Sequence, residues 1–293
     1  MKIIYLILIL LLFVSCQPDL DYKTSGYVQK IIVEGYINND EFPKVYLTLN
    51  IPLSEKVDST TILNNVIRFA KVTVSDSVNS NAIGAKTEIL TSGWETEKRL
   101  YPPYKYFGTQ YKGEEGKTYY LTVEYGGYTI KAQTTIPFKT PIDNFFTKPI
   151  TGNDRLRSLF MTININPTLK NSYRVYTLKK KDGYFKETQF LYNSKFTLSG
   201  SNTFGIIPTV NKMDSSYLEG GNFVKGDTIL VRLCTLDSVS TEFFSGLTLF
   251  SASQGIENEL LIGEKETLKS NISYPGFGIW YGNGVSSYML IIP

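Results

Sequence analysis

Residues 119–136 read YYLTVEYGGYTIKAQTTI, and this stretch decides the fold class. Apolar and polar side chains alternate on both sides of two glycines, Gly126 and Gly127. Such alternation is typical of strands that bury one face and expose the other. Two consecutive glycines tolerate the positive φ angles of a tight hairpin turn. The stretch therefore predicts an antiparallel β-hairpin.

The same period of two recurs along most of the chain. It predicts further strands over residues 31–37, 44–51, 69–74, 159–165, 173–180, 183–191 and 227–236, and a last one ending at residue 291. Pro137 and Pro141 mark a boundary near residue 138. We therefore predict an all-β protein with two antiparallel β-sandwich domains of the immunoglobulin or fibronectin kind, over 28–137 and 138–293. Periodicity fades between 193 and 225, which indicates an inserted loop.

One segment departs from the strand pattern and predicts the single short helix that this fold class would contain. Asp237 or Ser238 provides a helix cap. Apolar residues then recur at helical spacing, at Val239, Phe243, Leu247 and Phe250. We expect this helix to cross over one sheet and pack on it.

The chain begins with the pattern of an export signal. Lys2 precedes an apolar run, 3–14, and the small residue Ser15 follows it. The run is too short for a membrane-spanning helix, which needs about 20 residues. Residues 1–15 therefore predict a signal peptide that is cleaved.

The residue after this signal is a cysteine. The sequence Phe13-Val-Ser-Cys16 resembles the lipobox of bacterial lipoproteins, which implies that Cys16 carries lipid and that 16–27 form a flexible tether. The alternative is a plain secretory signal with an incidental cysteine. Asp19 and Asp21 resemble the export signal that sends Bacteroidota lipoproteins to the outer face of the outer membrane; retention on the periplasmic face is the alternative.

The amino-acid composition limits the functions that the chain can perform. The net charge is +3, which gives no footprint for nucleic acid. Histidine is absent from the sequence, which removes the usual general base and the commonest metal ligand. The 27 acidic residues single out no pair, so we expect no enzyme, no cofactor and no metal site. Two convergent carboxylates in a cleft would revive a third hypothesis, an enzyme acting on glycans.

Cys234 and a lysine-rich run are predicted to have structural roles. If Cys16 is lipidated, Cys234 has no intramolecular partner, because the chain has two cysteines. We expect Cys234 to be a small buried residue rather than a reactive thiol. The run from Lys179 to Gly183 predicts an exposed hairpin end, with a patch for an acidic ligand as the alternative.

Aromatic residues provide the candidate contact surface. They form 14% of the chain and cluster around the loop Tyr101-Pro-Pro-Tyr104. Rings clustered on a loop stack on sugars or peptides. The predicted contacts are Trp94, Tyr101, Tyr104 and Tyr106, with Phe107 beside them. The alternative is that these rings close one end of the sandwich core; Trp280 and Tyr281 are assigned to the core of the second sandwich.

Four short stretches resemble the Asp-Ser/Thr-apolar sequon of O-glycosylation in Bacteroidota. The first is Asp58-Ser-Thr60, with Ser59 as the favoured site because it lies in a polar loop. Asp-Ser pairs are also preferred by turns and helix caps, which is the alternative. The other three stretches begin at Asp76, Asp227 and Asp237.

Nearly the whole mature chain resembles the Bacteroidota lipoproteins grouped as domain of unknown function 4249. The resemblance is carried by residues 32–37 (IVEGYI), 43–49 (PKVYLTL), 70–76 (AKVTVSD), 116–125 (GKTYYLTVEY), 134–137 (TTIP), 226–233 (GDTILVRL) and 276–280 (GFGIW). It implies an outer-membrane lipoprotein whose relatives are commonly encoded beside TonB-dependent transporters. It implies no catalytic or ligand residue.

These features favour a lipoprotein anchored in the outer membrane and facing the cell exterior. We expect it to act as a non-catalytic binding or accessory module that partners a TonB-dependent transporter in nutrient capture, with a glycan or a peptide as ligand. The alternative is a structural or adhesive cell-surface lipoprotein without a small ligand.

Overall fold

A computed structural model of the protein describes residues 28–52, 58–96, 103–165, 171–188, 192–193, 200–209, 219–253 and 268–293. The predicted signal peptide, Cys16, the tether with Asp19 and Asp21, and Tyr101 lie outside these residues. Within them the chain is mostly strand, arranged in several sheets, with two helices. The predicted all-β fold class is confirmed.

The described residues form seventeen strands and two helices. In chain order the strands are β1 (Ile31–Asn38), β2 (Lys44–Leu49), β3 (Lys71–Ser75), β4 (Thr87–Ile89), β5 (Thr91–Trp94), β6 (Tyr104–Phe107), β7 (Thr118–Tyr125), β8 (Tyr128–Thr135), β9 (Ile142–Ile150), β10 (Asn153–Ile165), β11 (Ser172–Lys179), β12 (Lys186–Glu187), β13 (Tyr192–Asn193), β14 (Gly200–Ile206), β15 (Phe223–Val224), β16 (Thr228–Leu236) and β17 (Gly276–Ile291). The helices are α1 (Ser59–Asn64) and α2 (Ser238–Ser253).

These strands build two sandwiches that share one large sheet. The large sheet runs β12-β11-β16-β17-β1-β2-β6-β5, with β13 also paired to β11. Its β1 and β2 side packs on the sheet β4-β3-β7-β8 around a first core that includes Val33, Leu47 and Leu121. Its β11 and β16 side packs on β9, β10 and β14 around a second core that includes Val175 and Val231.

Strand β17 joins the two sandwiches. It pairs in parallel with β1 from Gly276 to Asn283, and antiparallel with β16 from Asn283 to Ile291. The predicted boundary near residue 138 therefore lies between the strands of the first sandwich and those of the second, and β17, which comes last, connects the two sandwiches. Ile272 and Trp280, far along the chain, belong to the first core.

Trp280 is fully buried, but the core to which it belongs is not the predicted one. The sequence pattern assigns it, with Tyr281, to the second core, whereas its ring lies in the first core and Nε1 donates to the carbonyl oxygen of Tyr119 at 3.1 Å. Gly35 lies directly opposite on β1. A Cβ there would lie 2.8 Å from Cε3 of Trp280, so the missing side chain makes room for the indole. Tyr281 faces the other way and packs beneath α2.

The β-hairpin predicted from residues 119–136 is present. Strands β7 and β8 pair antiparallel along their full length. Gly126 and Gly127 connect them with φ angles of 59° and 81°, as a tight turn requires. The outer edge of β8 is also covered, because the N–H of Ser273 donates to the carbonyl oxygen of Lys131 at 2.9 Å.

Helix α2 is the helix that the sequence predicts. Asp237 caps it by accepting the N–H of Ser240 at 2.7 Å. Phe243 and Phe244 pack against the large sheet, and the Phe244 ring lies edge-on to Tyr281 at 5.1 Å between centroids. Phe244 is not part of the predicted apolar stripe. The face of α2 that is buried is therefore rotated from the predicted face toward Phe244. The sequence does not predict α1, because none of its residues is buried and no apolar stripe marks it.

The lysine-rich turn differs in part from the prediction. Lys180 and Lys181 are exposed at the end of β11, as expected for a hairpin end. Lys179 is buried; its Nζ pairs with Glu219 and donates to the carbonyl oxygen of Asn222 at 3.0 Å. The strand predicted over 183–191 is reduced to β12 in the described residues.

We expect Gly35→Ala to lower the free energy of unfolding by about 1–3 kcal/mol, because the added methyl group overpacks against Trp280. Gly93→Ala is the matched control, since Gly93 also lies in a strand of the large sheet and its Cβ would meet its nearest neighbour at 3.8 Å. Urea unfolding followed by circular dichroism measures both. Equal effects of the two substitutions would contradict the packing of Trp280 on β1.

Candidate functional site

The predicted contact aromatics form a stack of rings that runs from the surface into the first core. Trp94 on β5 packs edge-on against Tyr104 on β6, with ring centroids 5.4 Å apart, and Tyr104 packs edge-on against Tyr106 at 6.1 Å. Pairing of β5 with β6 fixes this stack, because Trp94 lies directly opposite Tyr104. The Tyr104 hydroxyl also donates to Oγ of Ser92 at 3.1 Å. The Trp94 side chain is therefore supported from below although the residue is 53% exposed.

Tyr106 belongs to the core and is not a ligand contact. It is 1% exposed, and its hydroxyl donates to the carbonyl oxygen of Ile67 and accepts the N–H of Ala70, both at 3.0 Å. Burial raises the pKa of Tyr106 to about 12, so the hydroxyl stays protonated and keeps donating. For this residue the alternative from the sequence, a ring that closes the core, is correct.

The structure adds residues that the sequence does not single out. The segment between α1 and β3 crosses from one sheet to the other and brings the Arg68 guanidinium to 5.3 Å from the centroid of the Trp94 ring. The next residue, Phe69, is 91% exposed. Because β3 begins two residues later and pairs with β7, Phe69 lies at the same end of the sandwich as the β7–β8 turn and the exposed Tyr128. We name this surface the aromatic end: Arg68, Phe69, Trp94, Tyr104 and Tyr128.

Arg68 is the cation of the aromatic end that lacks an acidic partner among the described residues. Its Nη2 donates to the carbonyl oxygen of Leu63, at the end of α1, at 3.3 Å. The two neighbouring lysines are paired with carboxylates: Lys71 with Glu124 at 2.7 Å and Lys105 with Glu95 at 2.6 Å. The charge of Arg68 is therefore available to a ligand that approaches Trp94.

Ser59, the favoured glycosylation site, lies exposed in the first turn of α1. Asp58 caps this helix by accepting the N–H of Thr61 at 2.9 Å, and that hydrogen bond lowers the pKa of Asp58. The Asp-Ser pair thus begins a helix, with Asp58 as a residue type that is preferred at the N-cap. Modification of the accessible Ser59 hydroxyl stays a prediction.

A second cluster of polar groups lies beneath α2, on the face of the large sheet away from both cores. Nε of Arg174 donates to Oε1 of Glu187 at 2.6 Å, and the guanidinium lies 3.8 Å from the centroid of the Phe244 ring. Cys234 is the direct cross-strand neighbour of Arg174 and is buried, as predicted. Burial raises the pKa of Cys234 to about 12. The contact of Arg174 with Phe244 fixes α2 to the sheet, and burial keeps the Cys234 thiol protonated although the Arg174 charge acts in the opposite direction.

A groove of about 310 Å³ lies between β9 and the end of β17. Phe145, Leu159 and Tyr288 form part of its lining, and the rings of Phe145 and Tyr288 lie 5.1 Å apart. Asp143 is the single acidic side chain among its described lining residues. The described lining of the groove therefore does not provide the pair of carboxylates that glycoside hydrolysis uses.

The described part of the chain contains scattered acidic side chains and one helix of 16 residues. There, three or more His, Cys, Asp or Glu side chains do not come close enough together to hold a metal ion. Within the same residues, a helix with the length and apolar character to cross a bilayer is not found.

Neither a protein-family model nor a curated protein matches the chain. The resemblance to the domain of unknown function 4249 lipoproteins, and the transporter partner that it implies, therefore stay predictions. The chemistry of the site rests on the residues of the aromatic end.

We expect Tyr106→Phe to lower the free energy of unfolding by about 1–3 kcal/mol, since it removes the hydroxyl that bonds the buried carbonyl oxygen of Ile67 and the partly buried N–H of Ala70. Tyr104→Phe is the matched control, because its hydroxyl bonds an exposed serine side chain and its loss costs less than about 0.5 kcal/mol. Thermal and urea unfolding measure both. A larger loss for Tyr104→Phe would overturn the assignment of Tyr106 to the core.

We expect Cys234 to resist a thiol reagent such as DTNB at pH 8 in the folded protein, because a pKa of about 12 keeps the thiol protonated and burial excludes the reagent. In urea the pKa returns to about 8.5 and the thiol reacts. Absorbance at the release of the coloured product counts reactive thiols, and Cys234→Ala is the control. Rapid labelling of the folded protein at Cys234 would contradict this prediction.

Proposed function

We propose that this chain is a lipid-anchored outer-membrane lipoprotein that faces the cell exterior and acts as a non-catalytic binding module beside a TonB-dependent transporter. In this role the aromatic end holds a nutrient ligand for the transporter. The lipid on Cys16 keeps the module at the membrane, as the lipobox-like sequence implies. Two or more acyl chains make such an anchor durable.

The observation that carries the proposal is an exposed tryptophan in a fixed position. Large aromatic side chains are mostly buried, and exposed apolar clusters commonly mark interaction sites. Trp94 is exposed and is nevertheless held by Tyr104 on one side and Arg68 on another. A ring that is already ordered loses little entropy when a ligand stacks on it. The aromatic end is therefore suited to binding.

The acidic groups near the aromatic end support a role without catalysis. Glu95 and Glu124 are each bound to a lysine. Glycoside hydrolysis uses two carboxylates that flank one glycosidic bond, whereas each of these two is engaged by an ammonium group. Binding, not bond cleavage, is the chemistry that these residues favour.

The tether sets how far the module reaches from the membrane. Residues 16–27 precede the first described residue, Val28, and β1 begins at Ile31. A fully extended chain of this length spans about 40 Å. The first sandwich, with its aromatic end, is thus close enough to contact the rim of a transporter in the same membrane.

The test is to tag the native lipoprotein, solubilise outer membranes with a mild detergent, purify the protein and identify by mass spectrometry what accompanies it. We expect a TonB-dependent transporter in stoichiometric amount. A Cys16→Ala variant is the control; it should leave the membrane fraction and recover less transporter. Recovery of the native protein alone, or with surface-fibre components, would contradict the proposal and favour the adhesive alternative.

A further inference from the structure

We propose that the aromatic end binds a saccharide that carries a carboxylate, with a sugar ring against Trp94 and the carboxylate on Arg68. This inference rests on the proposed binding function and names its ligand class. The fold places two groups side by side: an exposed indole, and a guanidinium without an acidic partner in the described part of the chain.

The indole provides the surface for a sugar ring. The face of an aromatic ring carries partial negative charge and attracts the slightly positive C–H groups on one side of a pyranose. Trp94 is 53% exposed, and the rings of Tyr104 and Tyr106 behind it prevent it from folding into the core. Phe69 and Tyr128 extend the exposed aromatic area at the same end of the sandwich.

The guanidinium selects for negative charge. Arginine has five N–H donors, and its flat fork binds a carboxylate through two parallel hydrogen bonds. Arg68 uses one donor group on the carbonyl oxygen of Leu63, and the structure gives it no ion pair among the described residues. Its centre lies 5.3 Å from the centroid of the Trp94 ring, a separation that one sugar unit with its carboxylate can bridge.

An acidic peptide is the competing ligand, and the edge strand disfavours it. Extended peptides gain affinity by adding main-chain hydrogen bonds to a sheet edge. The edge here, β5, has four residues, so it offers a peptide few such bonds. Stacking on Trp94 and charge pairing with Arg68 do not require a strand edge.

The test uses the full-length lipoprotein in detergent micelles and titrates it with tetragalacturonate, with uncharged cellotetraose and with tetraglutamate. Tryptophan fluorescence is a selective readout, because the chain has two tryptophans and Trp280 is fully buried. We expect tetragalacturonate to change the Trp94 signal, to bind at least about tenfold more tightly than either comparison ligand, and to bind more weakly as NaCl is raised.

Variants at Arg68 test the contact with the carboxylate. Arg68→Gln should weaken tetragalacturonate binding about tenfold and remove most of its salt dependence, while Arg68→Lys should restore part of both. Lys225→Gln, which removes an exposed charge on the second sandwich, is the matched control and should change neither. Equal binding of cellotetraose, equal binding of tetraglutamate, absence of tetragalacturonate binding, or an unchanged Arg68→Gln variant would each overturn the inference.

The two experiments test the ligand class and the proposed function independently. The mass-spectrometry experiment tests the transporter partner with the native protein and requires no added sugar acid. A transporter recovered with a protein that does not bind tetragalacturonate would overturn the saccharide inference alone. Loss of the transporter from the native protein would contradict the proposed function whatever the affinity for the sugar acid.

Discussion

The parallel pairing of β1 with β17 is the interaction on which the rest of the structure depends. It joins segments such as Asn38 and Asn283, which are 245 residues apart, through their backbones and their side chains. The same strand then pairs with β16, so one element supplies core residues to both sandwiches. Gly35 and Gly278 permit this contact: the first gives room to Trp280, and the second, with φ of 126°, approaches the carbonyl of Val33 where a side chain could not fit.

Most of the long strands could be predicted from the sequence, but their long-range partners could not. Strand β9 was missed, and β14, which pairs with β10, lies in the segment 193–225 that the fading periodicity wrongly assigned to a loop. Alternation identifies β7 and β8, because their partners lie next to each other along the chain and the turn residues mark the connection. The same alternation identifies the segment ending at Ile291 as a strand without indicating that it pairs with β1. Trp280 shows the limit most clearly, because a period of two assigns a residue to a face but says nothing about which sheet covers that face.

The candidate site was open to sequence reasoning only in part. Trp94 and Tyr104 were accessible to it because they flank one loop. Tyr106 lies two residues after Tyr104, so both rings are on the same face of β6. Tyr106 is in the part of that face that the core covers. Arg68, Phe69 and Tyr128 come from other parts of the chain, and only the pairing of β3 with β7 and the crossing after α1 bring them to the same end. No local pattern marks such residues, because their shared surface arises from tertiary packing.

The central place of β17 also has a consequence for biogenesis. Until residues 276–291 are available, β1 and β16 each present an unsatisfied edge, and the first core lacks the indole that fills it. A chain that is synthesised or exported from its N-terminus therefore spends the longest part of that passage without a complete domain. Open strand edges and incomplete cores are what holding chaperones recognise and what aggregation begins from. The order of the strands thus makes folding a late event, and any factor that accompanies the chain must stay with it until its last strand has emerged.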